Sequence, residues 1–250
     1  MRPRAITPKR ILTLGGTTEA RAIAARLVAD GHDVTTSLAG VTSSPILPEG
    51  KLRVGGFGGV AGMVHYLKSH SVEVLIDATH PFAATISRHA FEAAQQFGCS
   101  LLRFERPAWL AGLNDHWIDV VSLAEAAAML PAKAVVLITS GRKDLAPFFV
   151  RADISGLVRT VEAIADEVPK RWRVILDRPP QTLDSEIALM RGNGVTHLIT
   201  KNAGGDLTRA KLDAARHLGL PVVMVTRPMK PECEMFSDVE ALAKRLGTLG

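Results

Sequence analysis

The chain has 250 residues, which is enough for two compact domains of ordinary size. Apolar residues make up 47% of it and charged residues 22%, a composition that excludes intrinsic disorder. The formal net charge is +5, with basic residues clustered at the N-terminus, and only 5% of the residues are aromatic. Nucleic-acid binding favours a basic stripe interleaved with exposed aromatics, so these values favour a small anionic partner and predict no nucleic acid.

No membrane segment or secretory signal is expected. The longest largely apolar stretch, residues 124–138, is interrupted by Glu125, Pro131 and Lys133, whereas a membrane helix needs about 18 apolar residues in succession. The basic start, Met1 to Arg10, is followed by too short an apolar run, residues 11–14, to be a signal peptide. The two cysteines form no redox or metal motif, as in a reducing compartment. We therefore predict a cytoplasmic protein without a membrane partner.

Strand and helix patterns alternate from residue 10 to the C-terminus. Short apolar runs predict strands at residues 10–14, 33–38, 52–54, 72–77, 101–104, 117–120, 134–139, 156–161, 173–176, 197–200 and 221–226. Runs with helical periodicity lie between most of them, at residues 19–30, 61–69, 82–97, 123–130, 185–191, 207–217 and 239–246. This alternation predicts an α/β fold with parallel sheets and helices on both faces.

One structural pattern occurs twice, about half a chain length apart. Residues 72–107 and 195–228 each contain a strand, a polar loop, a helix that ends before a glycine, a second strand and an Arg-Pro pair. We therefore predict two Rossmann-like halves, 1–130 and 131–250, divided at the connection through Pro131. Ligands of such sheets bind outside the carboxyl ends of the strands, so we expect an active-site cleft between the halves.

The first strand runs into a glycine turn and then a helix. The residues are Gly15, Gly16, Thr17, Thr18 and Glu19. Free backbone N–H groups and the positive end of the helix dipole can bind a phosphate at such a turn, and the threonine hydroxyls add donors. The turn lacks the G-x-G-x-x-G spacing, and the simpler alternative is that Thr17 or Thr18 only caps the helix.

The second strand ends without an acidic residue, which favours NADPH over NADH. NAD sites usually carry a carboxylate there for the ribose 2′-hydroxyl, and a carboxylate would repel the 2′-phosphate. Ser37 and Arg53 are candidates for that phosphate, although Arg53 is equally compatible with an ordinary solvated side chain. Residues 56–61 match G-x-G-x-x-A, either as an alternative phosphate loop or as the next strand-to-helix turn.

Polar residues follow four further strands. Thr79 and His80 come after the fourth strand, where Pro81 suits the first turn of a helix. A lone histidine is more often structural than catalytic, but the position of His80 at a strand end makes the two roles equally plausible. Further along, the chain offers candidates for binding anionic groups, with ordinary solvated side chains as the alternative: Ser140, Gly141, Arg142, Arg178, Lys201 and Asn202.

Several catalytic motifs are missing. Tyr66 is the single tyrosine and is followed four residues later by His70, so the Tyr-x-x-x-Lys pair of short-chain dehydrogenases does not occur. The sequence also lacks G-x-S-x-G, H-E-x-x-H and a Walker lysine, and its eight histidines lack metal-ligand spacing. We therefore predict no metal site.

Four ordered motifs resemble the precorrin-6A reductase family of cobalamin biosynthesis. They are residues 14–20, 77–83, 139–142 and 201–205, and the resemblance covers nearly the whole chain except the tail Met1 to Lys9. The resemblance implies an NADPH-dependent oxidoreductase acting on a CH–CH bond. Such an enzyme reduces the C18=C19 bond of precorrin-6A to give precorrin-6B, with the hydride going to C19 and the proton to C18.

From that resemblance we expect the 15–19 turn to hold the cofactor pyrophosphate, with Thr79 and His80 on the nicotinamide side. Arg142 and Lys201 would bind carboxylates of an anionic tetrapyrrole, and Lys201 is also the candidate for assisting protonation, with His80 as a second catalytic candidate. Two alternatives remain: another NADPH-dependent reductase, or a non-catalytic NADPH-binding module. The sequence leaves open whether the substrate carries cobalt, and it leaves open the oligomeric state.

Overall fold

The computed structural model describes residues 7–40, 46–165 and 167–249, so Arg2 and Arg4 of the basic N-terminus lie outside the described residues. The chain forms two compact units, Met1–Arg106 with Pro228–Gly250, and Pro107–Arg227. Each unit contains a six-stranded sheet whose strands are all parallel. The predicted α/β fold with two Rossmann-like parallel sheets is confirmed.

The elements are numbered in chain order. The strands are β1 (Arg10–Leu14), β2 (Asp33–Leu38), β3 (Lys51–Val54), β4 (Val74–Asp77), β5 (Ser100–Phe104), β6 (Trp117–Val120), β7 (Val135–Ile138), β8 (Ser155–Thr160), β9 (Trp172–Leu176), β10 (His197–Lys201), β11 (Val222–Val225) and β12 (Glu234–Phe236). The helices are α1 (Thr18–Ala29), α2 (Val60–Ser69), α3 (Ala84–Phe97), α4 (Leu123–Met129), α5 (Ala146–Phe149), α6 (Leu183–Gly192), α7 (Ala210–His217) and α8 (Val239–Leu246).

The first sheet has the strand order β12-β5-β4-β1-β2-β3, and its two faces are covered by different helices. Successive side chains of a strand point to opposite faces. Ile11 therefore packs in a core with α1 and α8, whereas its neighbour Leu12 packs in a second core with α2 and α3. Both residues are at most 2% exposed. Burial on both faces explains why β1 and β4 are almost continuous apolar runs.

The second sheet has the strand order β6-β11-β10-β7-β8-β9. Its arrangement matches that of the first sheet, because in both sheets the strand order reverses at the centre. The reversal falls between β1 and β4 in one sheet and between β7 and β10 in the other. Parallel sheets bind ligands outside the carboxyl ends of the strands at such a reversal. Each unit therefore has one topologically favoured binding position.

The units divide the chain at places other than the predicted boundary after residue 130. Strand β6 and helix α4 precede that boundary but belong to the second unit, while β12 and α8 follow it and belong to the first. Each sheet thus has one edge strand, β12 in the first and β6 in the second, that follows a crossing, which is a point where the chain passes from one unit to the other. The crossings coincide with the repeated Arg106–Pro107 and Arg227–Pro228 pairs. The helix end at Pro131, on which the prediction relied, is an ordinary connection within the second unit.

Two short elements were absent from the sequence prediction. Strand β12 has three residues and helix α5 has four, so neither is long enough to show a clear periodicity. Within the described ranges, no helix is both long enough and apolar enough to cross a lipid bilayer.

Candidate functional site

The β1–α1 turn lies at the strand reversal of the first sheet. Gly15 packs so closely against β2 that a Cβ atom would lie 2.7 Å from the Thr36 Cγ2 atom, and Gly16 has a φ of +107°, which favours glycine. The Thr17 hydroxyl accepts a hydrogen bond from the Ala20 N–H (3.0 Å) and donates one to the Ala78 carbonyl oxygen (2.8 Å). Thr17 therefore caps α1, and the prediction that this turn also binds a phosphate stays a prediction.

Glu19, in the first turn of α1, forms an ion pair with Arg106. The Arg106 Nη1 atom lies 2.8 Å from Oε1 and 3.0 Å from Oε2 of the carboxylate. Burial opposes ionisation of Glu19, but the hydrogen bond and charge of Arg106, with a smaller contribution from Thr17, hold its pKa below the usual value. Thr18 is exposed, and its hydroxyl accepts a hydrogen bond from Arg21 (3.2 Å).

Ser37 and Arg53 come together at the carboxyl ends of β2 and β3. Arg53 Nη1 donates to the Ser37 Oγ atom at 3.1 Å and to the Gly55 carbonyl oxygen, and Nη2 donates to the Gly56 carbonyl oxygen at 2.8 Å. The guanidinium also stacks on the Phe57 ring, with 3.7 Å between its carbon and the ring centroid. The guanidinium of Arg53 is thus held by the chain, while its role at a 2′-phosphate stays a prediction. The 56–61 segment is the β3–α2 turn, as one of its two interpretations predicted.

Asp77, the last residue of β4, is the centre of a buried polar cluster. Its Oδ1 atom accepts a hydrogen bond from the Thr79 hydroxyl (2.6 Å), and its Oδ2 atom accepts one from Arg103 Nε (3.1 Å). Asp77 is 1% exposed and Arg103 5%. Burial raises the pKa of Asp77, but hydrogen bonds from Thr79 and Ser87 and nearby positive charges lower it below its usual value. Thr79 is thus held firmly at the strand end.

His80 is exposed beside this cluster. Its Nδ1 atom accepts a hydrogen bond from the Phe82 N–H at 3.2 Å, so the neutral ring carries its proton on Nε2. The ring lies 5.9 Å from that of Phe82, centroid to centroid. His80 therefore presents an N–H donor at the strand end while its other nitrogen is used to order the start of the following helix.

In the second unit, the predicted residues lie at the equivalent strand reversal. Ser140 and Gly141 follow β7; the Ser140 hydroxyl oxygen is buried and has no hydrogen-bond partner among the described residues, and Gly141 has a φ of +92°. Arg142 donates to the Ala163 carbonyl oxygen at 3.1 Å. Beside it lies a groove of about 780 Å³, which is lined by apolar residues such as Leu145 and Phe149 and by charged residues that include Asp144 and Glu167.

Lys201 ends β10, next to the β7 loop. It is half-buried, and burial lowers its pKa, with opposing effects from the nearby charges of Asp144 and Lys143. Lys201 and the loop that carries Arg142 are therefore close in space, as predicted. Arg178 lies farther along the same unit and pairs with Glu162 at 3.4 Å.

The side chain of Asn202 is occupied by the chain itself. Its Oδ1 atom accepts from the Trp109 N–H at 2.8 Å, and its Nδ2 atom donates to the Trp109 carbonyl oxygen at 3.0 Å. Arg227 donates from Nε to the Asn202 carbonyl oxygen at 2.9 Å. Close packing continues at Gly204, where a Cβ atom would lie 2.1 Å from the Pro107 carbonyl oxygen. Asn202 thus fixes the segment that follows the crossing at Pro107.

Comparison with known proteins shows what this arrangement is similar to. The family model described as "Precorrin-6x reductase CbiJ/CobK" matches residues 10–247. The chain belongs to this family. It is 42% identical to the precorrin-6A reductase of Rhodococcus erythropolis over 96% of this chain and 98% of that one. The solved structure titled "CobK precorrin-6A reductase" has a TM-score of 0.89 and 40% identity, with 95% of this chain and 96% of that one covered.

More distant relatives carry a different name. The cobalt-precorrin-6A reductase of Priestia megaterium is 31% identical over 94% of this chain and 97% of its own. The resemblance on which the sequence interpretation depended is thereby confirmed, and the family match includes every candidate residue from Gly15 to Asn202.

Sequence reasoning missed the buried charges around Asp77. Arg103 also donates to the Pro231 carbonyl oxygen at 2.8 Å, and Lys230 pairs with Glu105 at 2.8 Å with both side chains largely buried. These contacts bring the segment after Pro228 over the ends of β4 and β5. The signal in the sequence was an arginine inside an otherwise apolar strand, which needs a buried counter-charge.

We predict that Asp77→Asn lowers the free energy of unfolding by about 3–5 kcal/mol at pH 7, because Arg103 stays buried without its counter-charge. The double variant Asp77→Asn/Arg103→Met should recover part of the loss, measured by urea denaturation. The pKa of Asp77 is lowered in the folded state, so its contribution is present above the unfolded value of about 4 and is lost as the pH falls further. The difference from the parent protein should therefore narrow below about pH 4. An equal loss in the double variant would contradict the ion-pair explanation.

Proposed function

We propose that the protein uses NADPH to reduce precorrin-6A to precorrin-6B, with a hydride added at C19 and a proton at C18 of the macrocycle. The observation that carries this proposal is the Ser37–Arg53 pair at the end of β2, in a chain that belongs to the precorrin-6A reductase family. In this proposal the first unit binds NADPH and the second unit binds the anionic tetrapyrrole. NADPH would supply the hydride. The residues of the chain would bind and orient the cofactor and the substrate, and one of them would provide the proton.

The residues of the first unit fit NADPH chemically. Arg53 is already oriented by two backbone carbonyls and an aromatic ring, so its remaining N–H groups are donors for a 2′-phosphate at low entropic cost. Ser37 accepts a bond from Arg53 and can still donate its own hydroxyl proton. The start of α1 offers backbone N–H groups to the diphosphate through Gly16, Thr17 and Thr18, because the Gly15 N–H already donates to the Ser37 carbonyl oxygen at 2.9 Å. Thr79 and His80 would line the nicotinamide side.

The second unit supports binding of carboxylates and of an apolar ring. Arg142 and Lys201 place two cations at one strand reversal, and the unpartnered Ser140 hydroxyl with the open Gly141 backbone adds neutral donors. The adjacent groove adds apolar side chains, among them Leu145 and Phe149, beside its charged residues. A tetrapyrrole has an apolar ring fringed by acetates and propionates, which matches this combination. Asn202 would act indirectly, by holding the backbone beside Lys201.

Lys201 is the group that we propose assists protonation at C18. Burial lowers the pKa of its ammonium, so it gives up a proton more readily than a solvated lysine does. His80, with its Nε2 proton, is the second candidate and belongs to the cofactor-binding unit. Between them, Lys201 is favoured because it belongs to the unit that we propose binds the substrate.

We also propose that the substrate is free of cobalt. The named precorrin-6A reductases of Rhodococcus erythropolis and Rhodobacter capsulatus are 42% and 41% identical to this chain. The cobalt-precorrin-6A reductases of Priestia megaterium and Salmonella typhimurium are 31% and 26% identical.

A direct assay tests the proposed function. The purified protein should oxidise NADPH, followed by loss of absorbance of the reduced nicotinamide, when metal-free precorrin-6A is present. It should do so several-fold more slowly with the cobalt-bearing substrate. NADPH binding without oxidation in either case would instead identify a non-catalytic cofactor-binding module. Oxidation only with a different acceptor would identify another NADPH-dependent reductase.

We predict that Arg53→Ala lowers kcat/KM for NADPH by about 10- to 100-fold, because a charge-assisted contact to the 2′-phosphate is lost. The value for NADH, which lacks that phosphate, should change by less than about twofold if only that contact is removed. Lys51→Ala is the matched control, since Lys51 lies on the same strand and pairs with Asp33 at the surface. An equal loss of kcat/KM with both cofactors would show that Arg53 does not bind the 2′-phosphate.

Substitution of Lys201 separates proton donation from binding. We predict that Lys201→Ala lowers kcat about 100-fold. Lys201→Arg should keep KM near that of the parent protein but lose kcat, since arginine binds carboxylates and does not release its proton. The parent activity should decline as the pH rises through the lowered pKa of Lys201, a decline that Lys201→Arg should not show. Lys170→Ala, at an exposed lysine that precedes β9, is the control. Unchanged kcat with raised KM in Lys201→Ala would make the residue a binding group only.

A further inference from the structure

Arg106 lies two residues beyond the end of β5 and pairs with Glu19 across the strand reversal of the first sheet. Its side chain is 20% exposed, and that of Glu19 is 25% exposed. Both line a depression with Thr17, Thr79 and Glu105, at the carboxyl ends of β1, β4 and β5, and the Glu105 carboxylate is itself paired with Lys230 at 2.8 Å. The pair therefore belongs to the position where this type of sheet binds its ligand.

Glu19 presents a difficulty for anion binding at this position. It lies in the first turn of α1, directly after the turn whose backbone N–H groups and dipole attract anions. A carboxylate there stabilises the helix by the same dipole, but it also places a negative charge beside any phosphate that approaches. The low pKa of Glu19 means that this charge is present at neutral pH.

The ion pair with Arg106 removes this difficulty, because the Arg106 Nη1 atom contacts both oxygens of the Glu19 carboxylate. Resting on the proposed binding of NADPH, we propose that Arg106 is a positioning residue that neutralises Glu19, so that the start of α1 can hold the diphosphate of the cofactor. Arg106 acts through Glu19 in this proposal and need not contact the phosphate. The pair keeps the dipole stabilisation of α1 while removing the net negative charge from the binding position.

Four proteins distinguish this role from direct contact with the phosphate. NADPH binding is measured by fluorescence titration for the parent protein, Arg106→Ala, Glu19→Gln and Glu19→Gln/Arg106→Ala. We expect Arg106→Ala to raise Kd about tenfold, because an uncompensated carboxylate faces the diphosphate. Glu19→Gln should bind at least as tightly as the parent. The double variant should return to within about twofold of the parent, because neither charge remains.

A double variant as weak as Arg106→Ala would overturn the proposal, since it would show that the arginine itself is needed at the phosphate. Arg106→Lys, which keeps the charge, should stay within about threefold of the parent. Adenosine 2′-monophosphate, which lacks the diphosphate, should bind the parent and Arg106→Ala equally. Weaker binding of this probe as well would also overturn the proposal, because it would mean general damage to the site.

The stability of the fold is followed in the same set. Urea denaturation should give cooperative unfolding for all four proteins, and any variant that fails to fold is replaced by Arg106→Gln or Glu19→Ala. If the parent protein does not bind NADPH, the proposed function fails. If it binds NADPH and Arg106→Ala binds equally well, only the role of Arg106 fails.

Discussion

The hydrogen bond from the Thr17 hydroxyl to the Ala78 carbonyl oxygen joins the two strand ends on which the first unit depends. Strands β1 and β4 are neighbours in the sheet but are followed by segments that leave in different directions, so a crevice opens between them. Thr17 ties the glycine turn to the end of β4 across that crevice. Together with the Ala78 N–H, which donates to the Leu14 carbonyl oxygen at 3.0 Å, this side chain fixes the distance between the glycine turn and the Thr79–His80 segment.

The second unit solves the same geometric problem with different residues. There Thr139 follows β7, and both its N–H and its hydroxyl donate to the Ile199 carbonyl oxygen of β10, at 2.9 and 3.3 Å. The strand ends are again tied together by a threonine at the reversal. After β10, Asn202 and Gly204 pack against the segment that begins at Pro107. Packing in this unit therefore depends on that segment.

The sequence was sufficient for the strands and helices other than the short β12 and α5, but not for their allocation to units. Buried strands such as β1 and β4 are short apolar runs, and the internal repeat indicated two sheets of one design. Which sheet β6 and β12 join depends on which sheet has an unpaired edge to receive them, and this depends on the tertiary structure of the whole chain. The same holds for the site: Ser37 and Arg53 could be named from strand ends, whereas the Glu19–Arg106 and Asp77–Arg103 pairs join residues that are distant in sequence.

The two copies of the repeat differ in how they create a positive field. In the first unit, the turn leads into the twelve-residue helix α1, whose dipole can act on an anion, and the turn itself carries threonines. In the second unit, the equivalent turn leads into the four-residue helix α5, which is too short for a comparable dipole, and the turn carries Arg142 and Lys143. The arginines of the two Arg-Pro pairs also differ in their partners. Arg106 pairs with the Glu19 carboxylate, whereas Arg227 donates to backbone carbonyl oxygens. Backbone donors suit a diphosphate of fixed geometry, whereas flexible side-chain cations suit carboxylates spread around a large ring.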